Sequence, residues 1–144
     1  MRVSIITIIF LSMFFFCVGQ DISTARSQGI GANVTVSGIV TNGEELGVIR
    51  YIEDNTGGIA LYDNSLTSIS RGDEITVTGT LVDYNGLLEM QPVTSHSLIS
   101  SANSVTPQVI TPSQIGELTE SELIQIDNVI FNNGGSYFTG NSTF

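Results

Sequence analysis

The sequence contains no lysine and no tryptophan, and its only basic side chains are four arginines among 144 residues. Fourteen aspartates and glutamates bring the formal net charge to −10. Lysine and arginine supply most of the non-specific affinity of proteins for phosphate backbones and anionic lipids. So acidic a chain is therefore not expected to hold DNA or a membrane surface through charge alone, and the acidity itself is typical of a soluble surface.

Cysteine occurs once, at Cys17, inside the nearly unbroken apolar run SIITIIFLSMFFFCV of residues 4–18. A short positive start, an apolar run and then a small residue at Gly19 are the layout of a secretory signal peptide. The run is shorter than the ~20 residues of a membrane-spanning helix. We therefore predict a signal peptide over residues 1–19 and export to the periplasm, the cell surface or the medium, with no membrane span after cleavage.

Two alternatives to cleavage stay open, a lipid anchor at Cys17 and an uncleaved leader. The lipid anchor requires a small residue before the cysteine, and Phe16 stands there. Cleavage leaves three arginines against fourteen acidic residues, a net charge of −11. The mature chain then has no disulfide, no thiolate metal site and no cysteine nucleophile, so its core has to stabilise it.

The pattern after the leader favours β-structure. A small, polar, aperiodic stretch over 20–32 predicts a flexible segment. Alternating apolar and polar residues, separated by turn dipeptides such as Asn42-Gly43 and Asn85-Gly86, then predict a series of strands. We place these at residues 33–41, 46–53, 59–62, 74–82 and 86–91, with Pro92 ending the last and a further short strand near 97–99.

The longest connection lies between the third and fourth strands, where Leu66 and Ile69 are three residues apart. That spacing suits one helical turn or a plugging loop. Five strands with the long link in this place predict an all-β fold, a five-stranded OB-like Greek-key barrel over residues 33–99.

The C-terminal third is predicted to be a Ser/Thr-rich linker over 100–117 followed by the start of a second β module over 118–144. One buried strand is expected within 123–131, and its partner begins at 136–138 across the Gly134-Gly135 turn. A hairpin without a sheet to pack on is marginal. The tail therefore either docks on the barrel or belongs to a truncated second module, which is the interpretation we favour.

Three motifs carry a family resemblance. The stretch YIEDNTGGIALY at 51–62 resembles the second and third strands of OB-fold modules in bacterial exported proteins, and RGDEITVTG at 71–79 is similar to their fourth strand. Tyr84-Asn85-Gly86 with Leu88-Glu89 resembles their last hairpin. Such modules occur beside extracellular nucleases, so the resemblance implies a binding or accessory role with single-stranded nucleic acid as the ligand class.

The tripeptide Arg71-Gly72-Asp73 is also the sequence that integrins recognise. It stands directly before an alternating Thr/Val strand, where glycine supplies unusual dihedral angles and aspartate bonds its own backbone. We interpret it as a turn.

An OB barrel usually binds its ligand on the second and third strands, between the loops that flank them. On this chain that surface predicts Arg50, Tyr51, Tyr62 and Tyr84 as ligand-binding residues, with the tyrosines as stacking platforms. The alternative for these tyrosines is half-buried packing with hydrated hydroxyl groups.

No catalytic residue, metal site or cofactor is predicted. The only histidine, His96, stands in no recognisable catalytic motif, and the turn carboxylates show no calcium-loop spacing. We therefore predict a non-catalytic, exported binding or accessory module whose partner is single-stranded nucleic acid or another protein domain. The alternative is a structural or protein-interaction spacer in a larger secreted or cell-surface protein, in which a catalytic domain could follow.

Overall fold

The computed structural model describes residues 19–130. Most of the predicted signal peptide and the predicted partner strand at 136–138 lie outside the described residues. The two predictions are therefore not tested here.

Five strands form a closed barrel. They are β1 (Asn33–Val40), β2 (Ile49–Glu53), β3 (Gly58–Tyr62), β4 (Glu74–Tyr84) and β5 (Leu87–Ser100). Their order is β1-β2-β3-β5-β4, and β4 closes the barrel by pairing with β1. The β3–β5 pair is parallel and the other pairs are antiparallel. This is the strand order of an OB barrel, and the all-β, five-stranded Greek-key prediction is confirmed.

Alternation along the strands fills the barrel interior. Residues of β1 and β4 are buried at every second position, so one face of each strand enters the core while Thr and Ser occupy the other. On that outer face, hydroxyl pairs join the two strands, with Thr35 to Thr78 at 2.9 Å and Ser37 to Thr76 at 2.8 Å. Such cross-strand pairs fix the register at the seam where the barrel closes.

The two ends of the barrel are plugged by short helical segments. A 3-10 helix at Asn64–Ser68 follows β3 and buries Leu66, with Ile69 directly after it. Of the two structures expected for this link, a helical turn or a plugging loop, the structure shows the helical turn. At the other end of β3, helix α1 (Ile22–Ser27) buries Ile22 and Ala25 in the same core.

Helix α1 corrects the prediction that residues 20–32 are flexible. The Ile22 N–H donates to a carboxylate oxygen of Asp54 at 2.8 Å, which ties the helix start to the β2–β3 turn. Two buried apolar residues in six are enough to fix a short helix when tertiary contacts cover them, because helical stability in proteins comes mainly from packing. A sequence window this short and polar has no visible period.

Strand β5 also corrects a prediction, because it runs through Pro92 to Ser100 as one element. Proline lacks the N–H that a strand ladder needs and is tolerated where the ladder is interrupted. The β4–β5 register shifts on both sides of Gly79, and Pro92 lies opposite this irregularity. The separate strand predicted near 97–99 is therefore the second half of β5.

The Arg71-Gly72-Asp73 tripeptide is a turn, as predicted. Gly72 has a φ of 86°, in the left-handed region that favours glycine. The Asp73 carboxylate is buried and accepts a hydrogen bond from the Ser70 N–H at 2.9 Å. An aspartate held in this way is not presented to a receptor.

The segment after the barrel docks on it. Two short parallel strands, β6 (Gln108–Val109) and β7 (Ile124–Gln125), form a second small sheet. Arg26 of α1 makes ion pairs with Glu117 and Glu120, both at 2.8 Å. The buried strand expected within 123–131 is reduced to β7, and β6 lies inside the predicted linker. The division into domains stays a prediction.

Candidate nucleic-acid interface

The strand register shows which residues form the open part of the predicted ligand-binding face. Ile49 of β2 lies directly opposite Tyr62 of β3, and Tyr84 of β4 lies opposite Leu87 of β5. Because alternate residues of a strand share a face, Leu87, Glu89 and Gln91 point outward together while Met90 enters the core. Tyrosines from two different strand pairs therefore meet on one surface.

These residues line a pocket of about 290 Å³, which we call the Tyr62–Tyr84 pocket. Its walls are Ile49, Tyr62, Tyr84, Leu87, Glu89 and Gln91. Tyr62 is 45% exposed and Tyr84 is 61% exposed, so both rings offer free faces to a ligand. Exposed aromatic rings beside an apolar floor form the kind of surface on which bases stack.

Tyr51 does not join this pocket. It lines a separate depression with Leu46, Ser121, Glu122 and Leu123, so the docked tail partly covers it. The Leu123 N–H donates to the Glu53 carboxylate, and Ser121 lies against Gly58. The tail thus occupies the Tyr51 end of the face and leaves the Tyr62 end open.

Arg50 does not lie on the open face where the sequence analysis places it, and this part of the prediction is corrected. Its side chain shares the inward face with Ile52 and is 1% exposed. The guanidinium donates to the carbonyls of Gly47, Ile49 and Ile69 at 2.8 Å and to that of Thr67 at 3.5 Å. Four of its five N–H donors are thereby directed at backbone oxygens. Arg50 anchors the segment that plugs the barrel.

No cationic side chain lines the Tyr62–Tyr84 pocket. Of the other two arginines in the described residues, Arg26 is held by Glu117 and Glu120. Arg71 is exposed and belongs to the turn before β4. Binding at this pocket therefore has to rest on stacking and hydrogen bonds rather than on neutralised phosphates.

Glu89 is the charged residue at the pocket, and the sequence analysis did not select it. It is 2% exposed although it lies on the outward face of β5, and it lines the pocket beside Ile49 and Leu87. Burial raises the pKa of its carboxyl above the ordinary value. The sequence does contain a signal for Glu89, because Leu87, Glu89 and Gln91 alternate along the strand that returns from the turn at Tyr84. Glu89 was missed because only aromatic and basic residues were considered as ligand contacts.

Replacing Glu89 with glutamine is expected to raise the free energy of unfolding at pH 7. Because the folded-state pKa of Glu89 is raised, its ionised form carries a burial penalty that glutamine lacks. The wild-type protein should recover stability as the pH falls through that pKa, so the difference between the two proteins should shrink. Urea titrations at several pH values measure this. The same change at the exposed Glu44 is the control and should leave stability unaltered.

The described residues hold no cluster of three or more histidine, cysteine, aspartate or glutamate side chains placed to bind a metal ion. His96 lies within β5 opposite Val77. Within residues 19–130, no helix is long and apolar enough to cross a membrane.

Comparison with known proteins gives one informative similarity. No protein-family model matches the chain. The chain is 33% identical over 96 residues to endonuclease YhcR of Bacillus subtilis (strain 168). The match covers 61% of this chain and 8% of YhcR, so it relates part of this chain to one small part of a much longer protein.

Among solved structures, the chain is similar to the hypothetical protein ygiW from E. coli, with a TM-score of 0.47 and 15% identity. The alignment covers 56% of this chain and 89% of that protein.

Proposed function

We propose that this protein is an exported binding module whose OB barrel takes unpaired nucleic acid at the Tyr62–Tyr84 pocket. The observation that carries the proposal is the pair of exposed tyrosines, one at the end of β3 and one at the end of β4, in a pocket that the tail leaves open. The similarity of the chain to a segment of an endonuclease supports the same ligand class. Export is proposed from the apolar leader over residues 4–18.

The affinity expected from this pocket is low. Stacking on an aromatic ring contributes ~1–3 kcal/mol per base, so two rings supply about 4 kcal/mol, which corresponds to a Kd near 1 mM. The absence of lining cations also predicts a weak salt dependence, well below the slope of about −0.7 per neutralised phosphate of a single strand. Such binding suits a module that acts beside another domain, because tethering raises the effective concentration.

Replacing both Tyr62 and Tyr84 with alanine is expected to weaken binding to a dT oligonucleotide at least tenfold, since each lost stacking contact costs ~1–3 kcal/mol. Chemical-shift titration with ¹⁵N-labelled protein reaches the millimolar range and locates the site on the barrel. Replacing Tyr84 with phenylalanine keeps the ring face and should preserve the affinity. Shifts confined to the Tyr51 end, or none at low salt, would contradict the proposal.

A second candidate function is a spacer or protein-interaction module, and one observation favours it. Ile115, Leu118 and Ile130 in the docked tail expose most of their apolar surface. If the dT titration gives no shifts, replacing Leu118 with serine offers the matching test, because it should abolish any self-association or partner binding through this tail.

A further inference from the structure

The Glu89 carboxylate has no partner within the part of the chain that the structure describes. None of the hydrogen bonds or ion pairs among residues 19–130 involves it. Burial alone accounts for its raised pKa, without any bond from a backbone or side-chain donor. Among the described residues, only the Ser121 hydroxyl is both fully buried and without a partner, so the Glu89 oxygens keep access to the pocket that the residue lines. A carboxylate that lines an open pocket and makes no bond within the described chain is available to accept hydrogen bonds from a ligand.

The chemistry of the wall restricts that ligand. An ionised carboxylate only accepts hydrogen bonds, and it offers two oxygens side by side. The apolar surface around it, formed by Ile49 and Leu87, favours a flat apolar body that carries its donors on one edge. The volume of about 290 Å³ is small for a ligand pocket and suits a single ring system rather than a long chain.

We propose that Glu89 accepts hydrogen bonds from the base held in the Tyr62–Tyr84 pocket and that these bonds select guanine. This inference rests on the proposed function and names the ligand of the same site. The Watson–Crick edge of guanine presents its N1–H and its N2 amino group as two neighbouring donors, which match the two oxygens of a carboxylate. Thymine offers one N–H between two carbonyl oxygens. Adenine and cytosine offer an amino group beside a ring nitrogen that repels the second oxygen.

Tyr62 and Tyr84 supply the base-independent part of the binding, and Glu89 supplies the discrimination. Charged groups that form paired hydrogen bonds to a base edge typically discriminate by ~1–3 kcal/mol. For a single such contact we expect about tenfold tighter binding of a guanine than of a thymine at the same position. Gln91, at the end of the same row, has an amide that can contact the sugar or the neighbouring base.

The test uses a nine-nucleotide dT strand with a single central substitution, titrated into the full chain at pH 7. We expect a central guanine to bind about tenfold more tightly than a central thymine. Deoxyinosine lacks only the N2 amino group, so it should lose most of that gain. This substitution removes the contact from the ligand side and needs no protein variant.

The protein-side test is Glu89→Gln, which keeps the shape of the side chain. We expect the guanine preference to fall below twofold while the affinity for all-dT is retained. Glu44→Gln changes the same charge on an exposed residue, and its guanine preference should equal that of the wild-type protein.

The outcomes separate the inference from the function it rests on. Equal binding of guanine, inosine and thymine strands overturns the role of Glu89 and leaves the stacking proposal intact. No binding of any strand overturns both. If tetramethylammonium binds, and Glu89→Gln abolishes that binding while no strand shows a guanine preference, the pocket is a site for an organic cation and the inference is wrong.

Discussion

Replacing Arg50 with alanine is expected to lower the free energy of unfolding by about 3 kcal/mol. The change empties the space of a buried side chain and leaves the carbonyls of Ile69, Gly47 and Ile49 without their charged donor. A buried acceptor that loses its partner costs ~1–3 kcal/mol, and cavity formation adds to that. The midpoint of urea unfolding, followed by far-ultraviolet circular dichroism, measures the loss.

Two variants distinguish this anchoring role from a ligand contact. Lysine at position 50 keeps the charge but lacks the planar fork of donors, so it should recover only a small part of the stability. Alanine at the exposed Arg71 should change stability by less than about 0.5 kcal/mol. An Arg50→Ala protein that keeps wild-type stability but loses oligonucleotide binding would contradict the anchoring role.

Replacing Gly38 with alanine is expected to cost about 3 kcal/mol, at the upper end of the usual cost of overpacking. A Cβ atom at this position in β1 would lie 2.7 Å from the carbonyl oxygen of Glu53 and 3.1 Å from its carbonyl carbon. Both are backbone atoms of β2, so no side chain can rotate away to relieve the contact. The strands themselves would have to separate where β1 passes from β4 to β2.

Gly116 is the matched control for this experiment. It lies in the exposed tail, and a Cβ atom there would meet nothing within 4 Å. Gly116→Ala should therefore unfold at nearly the wild-type urea concentration. A Gly38→Ala protein as stable as Gly116→Ala would show that β1 and β2 can move apart at little cost.

Much of the barrel could be predicted because its strands follow simple local rules. Alternating Val and Thr in β1 and β4, and turn dipeptides such as Asn85-Gly86, depend only on neighbouring residues. The order of the strands followed from the one long connection between β3 and β4. Helix α1 and the passage of β5 through Pro92 were missed, because each depends on residues far away in the sequence.

The candidate site was predicted in part for the same reason. Tyr62 and Tyr84 were selected and do meet, but their meeting depends on the parallel pairing of β3 with β5. Arg50 shares its parity with the buried Ile52, so alternation alone indicated that it points inward. Tyr51 lies in a separate depression that the docked tail partly covers. The tail reaches this place through the bond between Leu123 and Glu53, which are 70 positions apart, and no local sequence pattern predicts such a contact.

The seam between β1 and β4 has a consequence for how the chain folds. The seam pairs residues as distant in sequence as Asn33 and Thr80. Forming it closes a long loop, and the chain loses this conformational entropy before the contacts of the seam can compensate for it. Barrels of this kind fold in milliseconds to seconds, more slowly than helical proteins of similar size. During synthesis, β1 therefore keeps an unpaired edge until β4 has left the ribosome, and a chaperone would have most effect in this interval.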